Sequence, residues 1–129
     1  MRKIYQLKCQ PRKSFRSLTE FEIGYLAGLW DGEGCFYFED VRKGKYRPVA
    51  QCGMSEALLF ELAKVYGGLI FAHKVKRAPR MRKEPKIQYV WELYSDELKE
   101  FLEVIAPKML FKKDQALLLL EAFSQKGNK

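Results

Sequence analysis

The chain has 129 residues, enough for one domain with a real core and too few for two. A hydrophobic content of 47% with 14% aromatics excludes a disordered chain, and 24 Lys plus Arg against 16 Asp plus Glu leave a formal charge of +8, which points to a polyanionic partner, nucleic acid first. Cys9, Cys35 and Cys52 lie far apart with no CxxC pair, and His73 is the single histidine, which argues against a zinc site and a disulfide framework. No apolar run approaches the roughly 20 residues of a membrane span, and the start has no secretory apolar core. The expected location is therefore intracellular, in a bacterial cytoplasm or an organelle, without a membrane partner.

In chain order, residues 1–17 carry Arg2, Lys3, Lys8, Arg12, Lys13 and Arg16 with no acid and are interrupted by Pro11, so they read as a loosely held basic arm ahead of a single domain over 18–129. A first helix follows, with Thr19 as N-cap and Glu20 and Glu22 in its positive first turn, running to about Trp30. A hairpin of residues 35–42 and 45–53 turns at Lys43-Gly44. A second helix opens at Ser55, sets Leu58, Leu59, Leu62 and Tyr66 on its apolar side, and stops at Gly67-Gly68. The second hairpin pairs "LIFAHKVKR" with "KIQYVWELY" across the basic loop "APRMRKEP". A third helix opens at Ser95-Asp96-Glu97 and ends before Pro107, and a leucine-rich fourth runs from about Phe111 to Phe123. The order α-β-β-α-β-β-α-α predicts an α+β domain with a four-stranded antiparallel sheet.

Alternation assigns the faces of that sheet. Phe36, Phe38, Tyr46, Ala50, Cys52, Phe71, Val75, Ile87, Tyr89, Trp91 and Leu93 are expected on the helices, with His73 on the same side as Phe71. Tyr37, Glu39, Val41, Lys45, Arg47, Val49, Gln51, Ala72, Lys74, Lys76, Lys86, Gln88, Val90 and Glu92 are left for the free face. Most such faces are simply solvated. Here the hairpin loops add Arg42 and Lys43 at one end and Arg77, Arg80, Arg82 and Lys83 at the other, and a two-stranded ribbon carrying long polar side chains fits the major groove.

Within the first helix, Gly24, Gly28 and Gly32 recur at four-residue intervals along one face, although each glycine costs roughly 1 kcal/mol against alanine. A bare face lets a second helix approach backbone to backbone, as small-residue pairs do in membranes. That second helix belongs either to the same chain or to a second copy. Asp31 and Glu33 close the stripe. Across a two-fold axis, two Glu33 side chains would repel each other unless a cation lay between them.

The stretch "LAGLWDGEG", Leu26 to Gly34, resembles the signature of the LAGLIDADG homing endonucleases, with Trp30 and Gly32 as the main substitutions. The element order from Leu18 onward, "YGG" after the second helix and "PKMLFKKDQA" near the C terminus support the same resemblance. One copy of the motif in a chain this short is similar to the homodimeric branch, whose sheet forms a DNA-binding saddle. The resemblance implies Glu33 as the metal-binding acid, usually Asp, with a contact from the Gly32 carbonyl, and Mg²⁺ as the cofactor. It also implies Gly24, Gly28 and Gly32 at the dimer interface with Asp31 in a structural role. Lys112 would organise water near the scissile phosphate, helped by Gln51, or by the position of Gly53 if the register shifts by two.

The function so implied is a site-specific, metal-dependent double-strand break in double-stranded DNA. A strand of about eight residues spans roughly 27 Å, or about eight base pairs, so a dimer covers at least about 16 base pairs with pseudo-palindromic symmetry. The alternatives are an intron RNA maturase, which needs the basic surface and not Glu33, and a DNA-binding protein that does not cut.

Overall fold

The structure, a computed structural model, describes the backbone of residues 2–54, 57–75 and 86–127 and the side chains of residues 7–54, 57–73 and 87–124. Five strands and four helices alternate: β1 (Arg2–Cys9), α1 (Glu20–Glu33), β2 (Gly34–Arg42), β3 (Lys45–Met54), α2 (Leu58–Tyr66), β4 (Gly68–Val75), β5 (Lys86–Leu93), α3 (Ser95–Ile105) and α4 (Lys113–Gly127). The strands form one antiparallel sheet in the order β1-β4-β5-β3-β2. Among the described residues no helix is long and apolar enough to cross a membrane.

From Glu20 onward the expected α-β-β-α-β-β-α-α order is present. Thr19 accepts from the Glu22 backbone N–H and Glu22 accepts from that of Thr19, a complete capping box that fixes where α1 begins. The helix continues to Glu33, three residues past the expected end. The Lys43-Gly44 turn stands as expected, with Gly44 at φ 74°. Ser55, the expected cap of α2, lies outside the described residues.

The segment before Leu18 is not a loose arm. Arg2–Cys9 pairs with β4 as a fifth strand, so the four-stranded expectation is one strand short. Its anchors are apolar: Cys9 is buried, and Phe15 packs between Tyr66 and Phe101 at centroid distances of 5.7 and 5.3 Å. The backbone N–H groups of Arg12 and Lys13 both donate to Val65 O, while Arg16 meets Glu100 and Glu103 on α3. Arg16 and Lys8 are thus paired with acids of the third helix and Lys13 with Glu22 of the first, pairings that only the tertiary fold creates.

The helices cover one face of the sheet, around Leu26, Trp30, Ala50, Cys52, Leu59, Ile70, Trp91, Leu93, Phe101, Leu102 and Ile105. Trp30 lies edge-on to Trp91 at 5.3 Å and to Phe101 at 4.8 Å, which centres the core on α1. Gly67, at φ 85°, and Gly68, at φ 99°, bring the chain from α2 into β4, and Trp91 Nε1 donates to Gly67 O at 2.8 Å. Phe38, Tyr46 and Ile87, expected in the core, are exposed because they sit toward the hairpin tips.

The phase of β4 is opposite to that expected. Ile70 belongs to the helix-side core, while Phe71 pairs with Val90 and His73 with Gln88 on the other face. Ala72 is buried rather than outward-facing, and Lys74 follows it two residues on, with a side chain outside the described residues. The run "LIFA" is apolar at every position, so alternation cannot phase it.

Candidate functional site

The junction of α1 with β2 is built around Trp30. A Cβ on Gly34 would come within 2.2 Å of the Trp30 ring, so the chain can enter β2 here only without a side chain. Asp31, next to Trp30, turns toward the segment that leads into α4. Its carboxylate accepts from the backbone N–H groups of Leu110 at 2.7 Å, Phe111 at 3.1 Å and Lys112 at 2.9 Å. Burial pushes the Asp31 carboxyl up, but these donors and the Lys112 charge outweigh it and hold the group below the usual carboxylate range. Lys112 is thereby fixed, and its Nζ donates to Trp30 O at 3.3 Å and to Gly34 O. A cation there complements the negative end of α1 and keeps one ammonium N–H available.

Glu33 occupies the last position of α1, where the helix macrodipole disfavours a carboxylate. It is exposed and makes no hydrogen bond or ion pair among the described residues. Its side of the sheet holds an open pocket of about 360 Å³ lined by Glu33, Cys35, Gln51, Gly53, His73, Gln88 and Val90. Burial pushes the Cys52 thiol up to about 12, with the Glu33 charge adding to the shift and Lys112 opposing it. Both the acid and the cation thus act on one spot beneath the pocket.

The pocket floor is ordered by polar contacts. Gln51 Nε2 donates to Glu92 Oε2 at 3.1 Å, Tyr37 OH donates to the same oxygen at 3.5 Å, and Cys35 Sγ lies 3.8 Å from Gln51 Oε1. His73, 4% exposed, lies 3.0 Å from Gln88 Oε1 through Nε2. Gln51 and Gly53 both line the pocket, so only Gln51 can bring a polar side chain to it from β3.

The other expected contact residues divide by position. Arg47 pairs with Glu39 across β2 and β3, and its guanidinium stacks on the Tyr94 ring at 4.5 Å, where Lys8 Nζ lies at 5.0 Å on β1's side. Arg42, Lys43 and Lys45 are exposed at the first hairpin tip. Val49 is fully buried among Tyr37, Arg47 and Gln51 and has no surface to offer a base. The side chains of Lys74 and Lys86, and all of Lys76, Arg77, Arg80, Arg82 and Lys83, lie outside the described residues. Sequence reasoning missed His73 because of the β4 phase, and passed over Lys8, Glu92 and Tyr94 as site residues. Alternation along β5 puts Glu92 on the free face, but its partner Gln51 is set by strand order, which local sequence does not carry.

The glycine stripe faces outward. Nothing lies within 4 Å of a Cβ built on Gly24, Gly28 or Gly32, so these glycines serve no contact within the described chain. Around them Phe21 is 79% exposed and stacks on Tyr25, and Leu110 and Phe111 are each 82% exposed.

Among the described residues no three His, Cys, Asp or Glu side chains gather to hold a metal. One unpartnered carboxylate beside an open pocket, with the last-turn carbonyl of Gly32 next to it, is nevertheless a hard-oxygen set suited to Mg²⁺, which is commonly bound by one or two carboxylates and substrate phosphates.

No protein-family model matches the chain, and no curated protein matches it. Two crystal structures of the homing endonuclease I-CvuI do. One, in complex with the I-CreI target in the presence of 2 mM Mg with the DNA not cleaved, has a TM-score of 0.58 at 20% identity over 79% of this chain. The other, in complex with its own target in the presence of 2 mM Ca, has a TM-score of 0.57 at 20% identity over 78% of this chain. The chain has the homing-endonuclease fold. It spans 65% and 64% of the length of those two I-CvuI chains. Within the homing-endonuclease fold the open sheet face, with its pocket below the end of α1, is the surface that the helices leave free.

Proposed function

We propose that the chain is one subunit of a homodimeric LAGLIDADG homing endonuclease that makes a Mg²⁺-dependent double-strand break in a long, pseudo-palindromic double-stranded DNA target. The observation that carries this reading is Glu33: a carboxylate without a partner among the described residues, on the disfavoured end of α1, beside a polar pocket and at the end of a bare glycine face. Two copies joined through Gly24, Gly28 and Gly32 would bring two such acids together at the centre of the target.

In this reading Glu33 and the Gly32 carbonyl hold the metal, which when bound polarises the scissile phosphate and activates water. Lys112, held by two carbonyls, directs its remaining N–H toward the phosphate or its water. Gln51 orients water from the pocket floor. The open face, with Arg47, Gln88, Lys8 and the exposed Arg42, Lys43 and Lys45, lies along the groove, and Asp31 holds Lys112 in place.

The test is cleavage and gel shift on the same DNA, an uninterrupted copy of the gene that hosts the reading frame, in Mg²⁺ and in Ca²⁺. Glu33→Gln keeps size and removes the charge, so cutting in Mg²⁺ should fall by orders of magnitude, as loss of several kcal/mol of charge stabilisation implies, while binding persists. Equal cutting by Glu33→Gln removes the metal-carboxylate mechanism. A parent that leaves all DNA intact and retains folded intron RNA is an RNA maturase instead.

A further inference from the structure

Gln51 does not sit freely in the pocket. Its amide nitrogen is taken by Glu92, a 9% exposed acid on the neighbouring central strand, where Gln51 and Glu92 face each other in register. Tyr37 OH donates to the same Glu92 oxygen from β2, so two donors, one on β3 and one on β2 beyond it, converge on that oxygen. The Glu92 oxygen accepts from both. Burial and the nearby Glu92 charge push the Tyr37 hydroxyl up to about 12, which keeps it a donor. With one N–H of that nitrogen committed inward, the amide oxygen of Gln51 is turned toward Cys35 and the pocket, accepting from Cys35 Sγ at 3.8 Å.

We propose that Glu92 is a positioning residue, which fixes Gln51 with its carbonyl oxygen toward the pocket, so that Gln51 enters the reaction as an acceptor for water and not as a donor to phosphate. The inference rests on the nuclease reading for its consequence and on the side-chain pairing alone for its geometry. Replacing Glu92 by glutamine supplies both a donor and an acceptor, and the Gln51 amide is then free to turn over.

Two measurements test it on the full-length protein. The first is the side-chain amide signal of Gln51 in nitrogen-15 spectra without DNA: in the parent the proton given to Glu92 should be shifted and slow to exchange, and in Glu92→Gln, where the two amides can pair either way round, this protection should fall. An unprotected amide in the parent overturns the positioning, whether or not DNA is cut. The second is single-turnover cleavage in Mg²⁺ with affinity measured in Ca²⁺. Glu92→Gln should cut about ten- to a hundred-fold more slowly, the usual effect of removing an outer-shell partner, with DNA affinity unchanged. The double variant Gln51→Glu with Glu92→Gln restores an acceptor facing the pocket and should recover part of the rate. If the double variant is no better than Glu92→Gln, the acceptor role is overturned. If Glu92→Gln cuts at the parent rate, the positioning is overturned and the nuclease reading stands. A parent that cuts no DNA overturns that reading and Gln51's part in the reaction with it.

Discussion

Within its own chain Asp31 fastens the end of α1 to the start of α4. Both carboxylate oxygens are engaged by backbone donors of residues 110–112, so this acid of the motif closes the entry to α4 and holds the Lys112 backbone. Asparagine would keep one acceptor oxygen and turn a donor toward N–H groups that cannot accept. Hydrogen bonds to a charged group contribute about 1.5–3 kcal/mol, and Asp31→Asn should lower stability by about that amount in urea titration. An unchanged midpoint would mean that the clamp is not what holds this segment. Glu33, two residues on, has no such partner among the described residues, so the two acids that close the glycine stripe differ in their surroundings.

At the scale of elements, α1 is fastened at its start by Glu22, which receives Tyr66 OH from α2 at 2.7 Å, the Thr19 backbone and Lys13 Nζ. The Tyr66 hydrogen bond first, then those from Thr19 and Lys13, hold the Glu22 carboxyl down at about 2. A depressed folded value means stability that is present in full above the unfolded value of 4.5 and lost as pH falls toward about 2. Glu22→Gln should therefore melt below the parent at neutral pH, and the difference should shrink between pH 4.5 and 2, which thermal melts across that range will show. A gap that stays constant would mean that the Glu22 charge does not fasten the helix. The segment before α1 belongs to the same fastening, since β1 adds an edge strand and Phe15 enters the core beside Tyr66.

For the whole molecule, the outward glycine face is what sets the expected assembly. A Cβ at Gly28 meets no atom within 4 Å among the described residues, and a leucine there should raise the intrinsic stability of α1, since glycine is the poorer helix former by up to about 1 kcal/mol. In a dimer packed backbone to backbone the same side chain would force the two subunits apart. Sedimentation should give a dimer for the parent and a monomer with undiminished thermal stability for Gly28→Leu, which should no longer cut both strands. A monomeric parent at micromolar concentration removes the dimer.

The sequence by itself determined what local signals encode. The Thr19 and Glu22 cap, the Lys43-Gly44 turn and the Gly67-Gly68 stop are read from neighbouring residues, and so are the order of elements after Leu18 and the position of Glu33 at the end of the glycine stripe. Alternation phased β5 because Gln88 and Glu92 mark one face on either side of the run Tyr89-Val90-Trp91, leaving Tyr89, Trp91 and Leu93 for the core. Only the tertiary structure decided the rest. The apolar run of β4 fits either face, and its phase is settled by pairing with β5, which brings His73 to Gln88 in the pocket. A basic N-terminal segment looks unpaired until α3 supplies its acids. Gln51, Glu92 and Tyr37 are joined by the strand order β5-β3-β2, and Lys112 reaches α1 through the Asp31 clamp. Their contacts span 41 to 81 positions of chain; local periodicity carries no information over that distance, and sheet order and helix docking create it.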